Sequence, residues 1–214
     1  MSRWKRLARM LEKNKGFISV RDLVIAAVWA LGGRAPKKDY IHKLLYIITK
    51  KRGDLASMLG FEEYKRGAWS EVVADVVDSL IDEGDLDYSK EGLILRNPER
   101  VESSLSKLDR ELIEILKNEG SFLSKLSYDE MLLYVYVMYG GYSRSEVKDR
   151  VFSKRKKLSI QLLRRGLVSV GLAAKLAGMS YRDFIKYLKE KGIRPFEAEE
   201  KDIDRAKKTV GINN

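Results

Sequence analysis

The chain has no cysteine and one histidine among its 214 residues. The missing thiols exclude disulfides, thiolate zinc sites and cysteine nucleophiles. A single histidine, His42, argues against histidine metal clusters and against a Ser-His-Asp triad. It stands beside an apolar stripe, where it reads as a structural or surface residue. Gly-rich phosphate loops of the Walker or dinucleotide type are also missing. Carboxylates are plentiful, yet no spacing singles out a catalytic pair; Glu62-Glu63 and Glu199-Glu200 read as solvated surface. A metal nuclease built from scattered Asp and Glu would need a catalytic lysine motif that the chain does not show. The expectation is a protein that is not an enzyme and takes no metal or cofactor.

Long apolar runs are missing as well. Stretches such as Leu23 to Leu31 fall short of the roughly 20 residues a membrane-spanning helix needs. The start, Ser2-Arg-Trp-Lys-Arg-Leu-Ala-Arg-Met-Leu11, is basic and amphipathic but has no signal-peptide apolar core. A cytoplasmic location with no membrane association is expected. One glutamine, Gln161, beside abundant Lys, Arg and Glu is the composition of a thermophile, and an archaeal source is the compositional guess.

What the chain does have is positive charge, a formal +11 overall. The charge is concentrated. From Arg144 to Arg165 nine basic residues (Arg144, Lys148, Arg150, Lys154, Arg155, Lys156, Lys157, Arg164, Arg165) face two acidic ones, Glu146 and Asp149, a net of +7. Such a cluster is the electrostatic footprint of phosphate contacts. The alternative is a solvated helix face, or the basic excess of a heat-adapted protein.

The stretch that follows reads as a helix-turn-helix. A short helix starts near Val170, with Leu172, Ala173, Leu176 and Ala177 inward; the small pair Ala173-Ala174 allows a tight crossing. Gly178 falls where that helix ends and positive φ is needed. Met179 plugs the turn. Ser180 caps the second helix, with Asp183 three residues on as a capping-box variant. Phe184, Ile185 and Leu188 form its apolar face by helical spacing, and Gly192 stops it. In a DNA reader the first turns of this helix face the groove. The outward candidates are Ser180, Tyr181, Arg182 and Lys186; Lys154, Arg155, Lys156, Lys157, Arg164 and Arg165 are the candidate phosphate contacts. A helical hairpin that only packs remains the alternative.

These residues also carry a resemblance. Leu158-Ser-Ile160, Leu163-Arg-Arg-Gly166-Leu-Val-Ser169, Ala173-Ala174-Lys-Leu-Ala-Gly178-Met-Ser180-Tyr-Arg-Asp-Phe184, Leu188 and Gly192-Ile193 together resemble a family of small, mostly prokaryotic, antitoxin-like helix-turn-helix proteins. The resemblance covers the last third of the chain. It implies a helix-turn-helix fold and a role as antitoxin and repressor paired with a PIN-domain ribonuclease toxin. Family members are mostly short, and this chain carries a large N-terminal extension.

The extension reads as a winged helix over residues 21–96. Arg21 to Leu31 is an apolar helix. Pro36 opens a second, Lys37 to Lys51, with Ile41, Leu44, Leu45 and Ile48 buried. A loop passes Gly53, Gly60 and Gly67. Ser70 caps a third helix to Glu83, and Leu86–Tyr88 with Leu93–Leu95 form a two-stranded wing. On the third helix Val72, Val73, Val76, Val77, Leu80 and Ile81 face inward. Its outer side is Glu71, Asp75, Asp78, Asp82 and Glu83, a row that phosphates repel. A protein partner suits this module better than DNA. Lys43, Lys50, Lys51 and Arg52 on the second helix, and Lys90 and Arg96 on the wing, are its candidate backbone contacts. The run Ile41-His-Lys43-Leu-Leu-Tyr46, with Gly67-Ala-Trp69-Ser70-Glu71-Val72 and Leu80-Ile-Asp-Glu-Gly84, is similar to the pattern of Panacea-type antitoxin domains, with Ala68 in place of their proline. That weaker resemblance implies a protein-partner role.

Between these parts, Pro98 starts a long helix to about Asn118 with Val101, Leu105, Leu108, Leu112, Ile115 and Leu116 as its stripe. Ser127, in a capping box with Glu130, opens another, apolar nearly all round to Tyr139 and therefore central. Its tyrosines read as core or interface ahead of base-stacking surface. A basic helix over residues 2–14 and a mixed-charge tail from Arg194, a candidate partner-binding segment, flank the whole. The reading is a mainly α protein in three parts: a winged-helix-like domain at 1–96, a helical connector or dimerisation region at 97–140, and a basic helix-turn-helix domain with tail at 141–214. Its expected function is that of a homodimeric regulator of double-stranded DNA. The alternative is a non-enzymatic module whose basic stretch binds RNA or an acidic protein.

Overall fold

The computed structural model describes residues 18–193; the basic segment at 2–14 and the tail from Arg194 lie outside them. The described part is mainly helical with a small antiparallel sheet. It forms two compact units, one ending at Lys154 and the next starting at Arg155.

In the first unit, helix α1 (Val20–Ala30) opens on a capping box. Ser19 accepts from the Asp22 N–H, and the Asp22 carboxylate accepts from the Ser19 N–H. Leu23 to Val28 are buried on every side, which makes α1 the axis of this unit. Strand β1 (Arg34–Ala35) leads to α2 (Lys38–Lys51). Ile41, Leu44, Leu45 and Ile48 are wholly buried, each contributing about 1.5–3 kcal/mol. Helix α4 (Glu71–Asp82) follows an insertion, capped by Ser70, whose Oγ accepts from the Val73 N–H at 3.1 Å. Strands β4 (Leu86–Ser89) and β5 (Gly92–Leu95) make the wing, and β1 adds to β5 in the order β1-β5-β4. Arg34 lies opposite Ile94 and Leu86 opposite Leu95. Helix, strand, helix, helix, hairpin is the winged-helix order.

The insertion is not the loop expected from its glycines. It holds a 3-10 turn (Gly53–Leu55), a short helix α3 (Ala56–Leu59), and a hairpin of β2 (Glu62–Tyr64) and β3 (Gly67–Trp69) with Glu62 opposite Trp69. On α4, Val73, Ala74, Val77 and Leu80 are buried, but Val72 is 44% exposed. Val72 was expected inward; it lies one residue round from the buried Val73, on the solvent side of the stripe. Glu71, Asp75, Asp78, Asp82 and Glu83 are all exposed.

The long helix expected from Pro98 is two: α5 (Pro98–Ser106) and α6 (Arg110–Leu123). Asp109 ends the run. Its backbone is extended, and its carboxylate accepts from the Leu112 N–H at 2.8 Å while Arg52 donates to it, also at 2.8 Å. A turn capped by Asp109 thus interrupts a hydrophobic period that continues across it. Helices α1 and α6 approach closely at Gly120, where a Cβ would lie 2.6 Å from the Ala30 backbone. Helix α7 (Tyr128–Tyr139) is buried from Glu130 to Tyr136, and the Glu130 carboxylate accepts from the Ser127 N–H. The chain beyond Gly140-Gly141 stays on this unit. Tyr136 Oη and Ser145 Oγ are 2.8 Å apart, the Glu146 N–H donates to the Lys65 carbonyl, and helix α8 (Lys148–Ser153) follows.

The second unit holds α9 (Arg155–Arg164), α10 (Val170–Ala177) and α11 (Tyr181–Glu190). Its core is Leu158, Leu162, Ala173, Ala174, Leu176, Phe184 and Leu188. Among the described residues no helix is long and apolar enough to cross a membrane.

Candidate nucleic-acid interface

The turn between α10 and α11 is fixed by local chemistry. Ser169 caps α10 by accepting from the Leu172 N–H. At the other end Gly178 sits at φ 70°, ψ 35°. The Gly178 N–H donates to the Lys175 carbonyl at 3.1 Å and the Met179 N–H to the Ala174 carbonyl at 3.0 Å, the paired bonds of a Schellman stop. Ser180 then starts α11. Its Oγ accepts from the Asp183 N–H at 3.1 Å and donates to the Asp183 carboxylate at 2.6 Å. The buried Phe184 and Leu188 turn the opposite face of α11 outward.

That outer face carries Arg182, Lys186 and Lys189, three and four residues apart and all exposed. Tyr181 is 53% exposed at the first turn. On α9, Lys156, Lys157 and Arg164 are exposed, with Arg165 just beyond. Lys156 Nζ lies 5.3 Å from the Tyr187 ring of α11, and Lys191 Nζ 5.8 Å from the same ring. From Arg155 to Ile193 there are ten basic residues and two acidic ones, Asp183 and Glu190. Most of the chain's net charge therefore belongs to three short helices.

Two of the candidate phosphate contacts have other work. The Arg155 Nε donates to the Leu176 carbonyl at 2.9 Å, and its guanidinium reaches the Lys175 carbonyl at 3.4 Å. It caps the C-terminus of α10, where unpaired carbonyls and the helix dipole favour a cation. Lys154 closes the first unit. It pairs with Asp129 at 3.2 Å, and Arg150 pairs with the same carboxylate at 2.6 Å. These cations hold the Asp129 carboxyl below its ordinary value against the opposing effect of its burial.

The expected contacts of the first unit are mostly engaged. Lys43, expected outward, is fully buried and donates to the Ala68 carbonyl at 2.7 Å. The reason is the β2–β3 hairpin, which covers that side of α2 where the sequence reads as a loop. Lys51 pairs with Glu119, Arg52 with Asp54 and Asp109, and Arg96 with Asp87. Lys50 lies over the Tyr46 ring, and Lys90 is exposed at the wing tip. His42 is in the core. Its Nδ1 accepts from the Ser70 N–H at 3.3 Å, and its ring stacks on Trp69 at 3.7 Å. Burial pushes it down to about 3, with Lys43 and Lys38 adding to the effect.

Residues 144–211 match the model of an uncharacterised protein family, UPF0175. The match begins in the first unit and covers the whole described part of the second. No curated protein and no solved structure matches the chain.

Proposed function

We propose that this protein is a DNA-binding transcriptional regulator that works in the cytoplasm as a homodimer and contacts DNA through α9–α11. The observation that carries the reading is the exposed basic face of α11, with Arg182 and Lys186 at the first turns and a glycine-stopped helix before them. In a helix-turn-helix that face enters the major groove, where Arg and Lys reach guanine edges. Lys156, Lys157, Arg164 and Arg165 supply sequence-independent phosphate contacts on the flank. A dimer would meet half-sites one helical turn apart, ~34 Å. The role we assign is that of antitoxin and autorepressor, with a PIN-domain ribonuclease as the toxin partner. The antitoxin-like motif in α10 and α11 supports this role. The acidic outer face of α4 supports a protein partner for the winged helix, as does the Panacea-like pattern.

The experiment is fluorescence-anisotropy binding to the protein's own upstream promoter, a scrambled duplex and a single-stranded RNA, each at two salt concentrations. Promoter-selective duplex binding is expected. Arg182→Ala and Lys186→Ala should cost about 1–3 kcal/mol each of that selectivity. Equal, salt-sensitive binding to all three nucleic acids would instead mean that charge alone acts, and the chain would be an interaction module for RNA or an acidic protein.

A further inference from the structure

The first unit holds a cavity of about 410 Å³ between the start of α2 and the β2–β3 hairpin. This volume lies within the ~300–1,000 Å³ of small-molecule sites. Its walls bring Lys37, Lys38, Lys43, Lys65 and Arg66 against one carboxylate, Asp39. Asp39 is already shared. Arg66 donates to it at 3.3 Å and the Tyr128 hydroxyl at 3.1 Å. Lys38 pairs with Asp78, outside the cavity wall.

Lys43 has no such partner. Its side chain is wholly buried, its one hydrogen bond goes to the Ala68 carbonyl, and no carboxylate among the described residues lies in ion-pair reach. An ammonium has three donors, and a buried charge without a counter-charge is costly. A core with no use for the charge would be better served by methionine or leucine. Burial pushes the Lys43 amine down to about 8, with Asp39 opposing and Arg66 adding. The same cavity meets the start of α2, a 14-residue helix that Lys37 leaves without a side-chain cap. Helix N–H groups and the positive end of the dipole favour an anion there. The aromatic wall is Trp69, half-buried and held in place by the stacked His42 behind it, with Tyr64 exposed beside it.

We propose that this cavity binds a small phosphorylated ligand of the nucleoside monophosphate class, with its phosphate at Lys43 and the flanking cations and its base along Trp69. Five lining cations, with Lys38 paired to Asp78 and Arg66 sharing Asp39, keep a positive excess that suits a doubly charged phosphate better than a single carboxylate. The aromatic wall suits a flat ring. The site lies wholly in the first unit and stands apart from the DNA reading of the second.

The test is calorimetric titration of the full chain with AMP, inorganic phosphate and adenosine at 150 mM salt. Saturable AMP binding is expected, with phosphate weaker and adenosine weakest. Lys43→Met should lose at least tenfold in affinity. Arg66→Gln, largely exposed and able to keep a hydrogen bond to Asp39, should lose severalfold while still folding, so the proposal stays testable if Lys43→Met folds poorly. Lys156→Ala/Lys157→Ala should keep wild-type AMP affinity. The proposal fails if millimolar AMP gives no binding heat, if Lys43→Met and Arg66→Gln bind as wild type does, or if binding is lost only with the C-terminal lysines.

Discussion

The one side chain whose ordinary value falls between pH 5 and 8 is that of the single histidine. In the folded state burial holds His42 down to about 3, so it stays neutral there. In the unfolded chain it takes up a proton near its ordinary value. A base depressed in this way contributes stability that is complete above about pH 6.5 and is lost as pH falls toward 3. Urea unfolding should therefore show stability falling by up to about 1.4 kcal/mol per pH unit below 6.5, before the carboxylates join. His42→Gln should flatten that slope whatever it does to the absolute value; an unchanged slope would mean that His42 is solvated. Lys43 has the same sign in a higher window. Its amine is pushed down to about 8 from an ordinary 10.5, so the unfolded chain holds more protons between those values. Folded stability should rise from pH 8 to 10.5 as the charge is relieved. Lys43→Met should be more stable than wild type at pH 7, by roughly 3 kcal/mol at most, less what the lost bond to the Ala68 carbonyl contributes. The gap should close by pH 10.5. If the substitution is instead destabilising at every pH, the bond to Ala68 outweighs the desolvation.

At the scale of elements, what the sequence disclosed was what a few adjacent residues decide. Caps at Ser70, Ser180 and Ser127 with Glu130, the stop at Gly178, the apolar stripe of α2 and the apolar run of α7 are all local signals, and they stand where expected. The β2–β3 hairpin was not legible. Its strands are three residues each, β2 holds Glu62 and Glu63 and is largely exposed, and β3 is largely buried. Neither alternation nor a tight Asn-Gly turn marks it. The candidate site suffered in proportion, since Lys43 is outward on a bare α2 and inward once the hairpin covers it. The capping role of Arg155 was illegible for a related reason, because a guanidinium bound for helix carbonyls twenty residues away looks in sequence like one more cation. The α5–α6 break was hidden by a hydrophobic period that runs through it, although Asp109 is a helix-capping type. Packing between elements leaves even less trace. Gly120 gives no turn signal, yet its missing Cβ lets α6 approach α1. Gly120→Ala places a methyl 2.6 Å from the Ala30 backbone, and backbone cannot swing aside as a side chain tip does. A loss of about 1–3 kcal/mol is expected by chemical denaturation, despite the better helix propensity of alanine. A neutral or stabilising result would show that the α1–α6 crossing adjusts freely.

For the molecule as a whole, the distribution of charge decides how it meets a polyanion. The second unit carries ten cations and two carboxylates over its described residues, whereas α4, the helix that reads DNA in many winged helices, presents five exposed carboxylates at its outer side and C-terminal end. Each phosphate neutralised adds about 0.9 to the slope of log affinity against log salt. Replacing Lys156 and Lys157 with alanine should therefore reduce the magnitude of the slope by about 2, equally for promoter and scrambled duplex. Arg182→Ala should change the ratio between the two duplexes as well. The acidic helix gives the opposing control. If α4 stays more than a Debye length of ~10 Å at 0.1 M salt from a bound duplex, neutralising Glu71, Asp75 and Asp82 to Gln, Asn and Asn should leave affinity and slope within error of wild type. If α4 lies against the duplex, the same change removes three repulsive charges, strengthens binding and steepens the slope. The slope would thus assign the proposed DNA contact to one unit or to both.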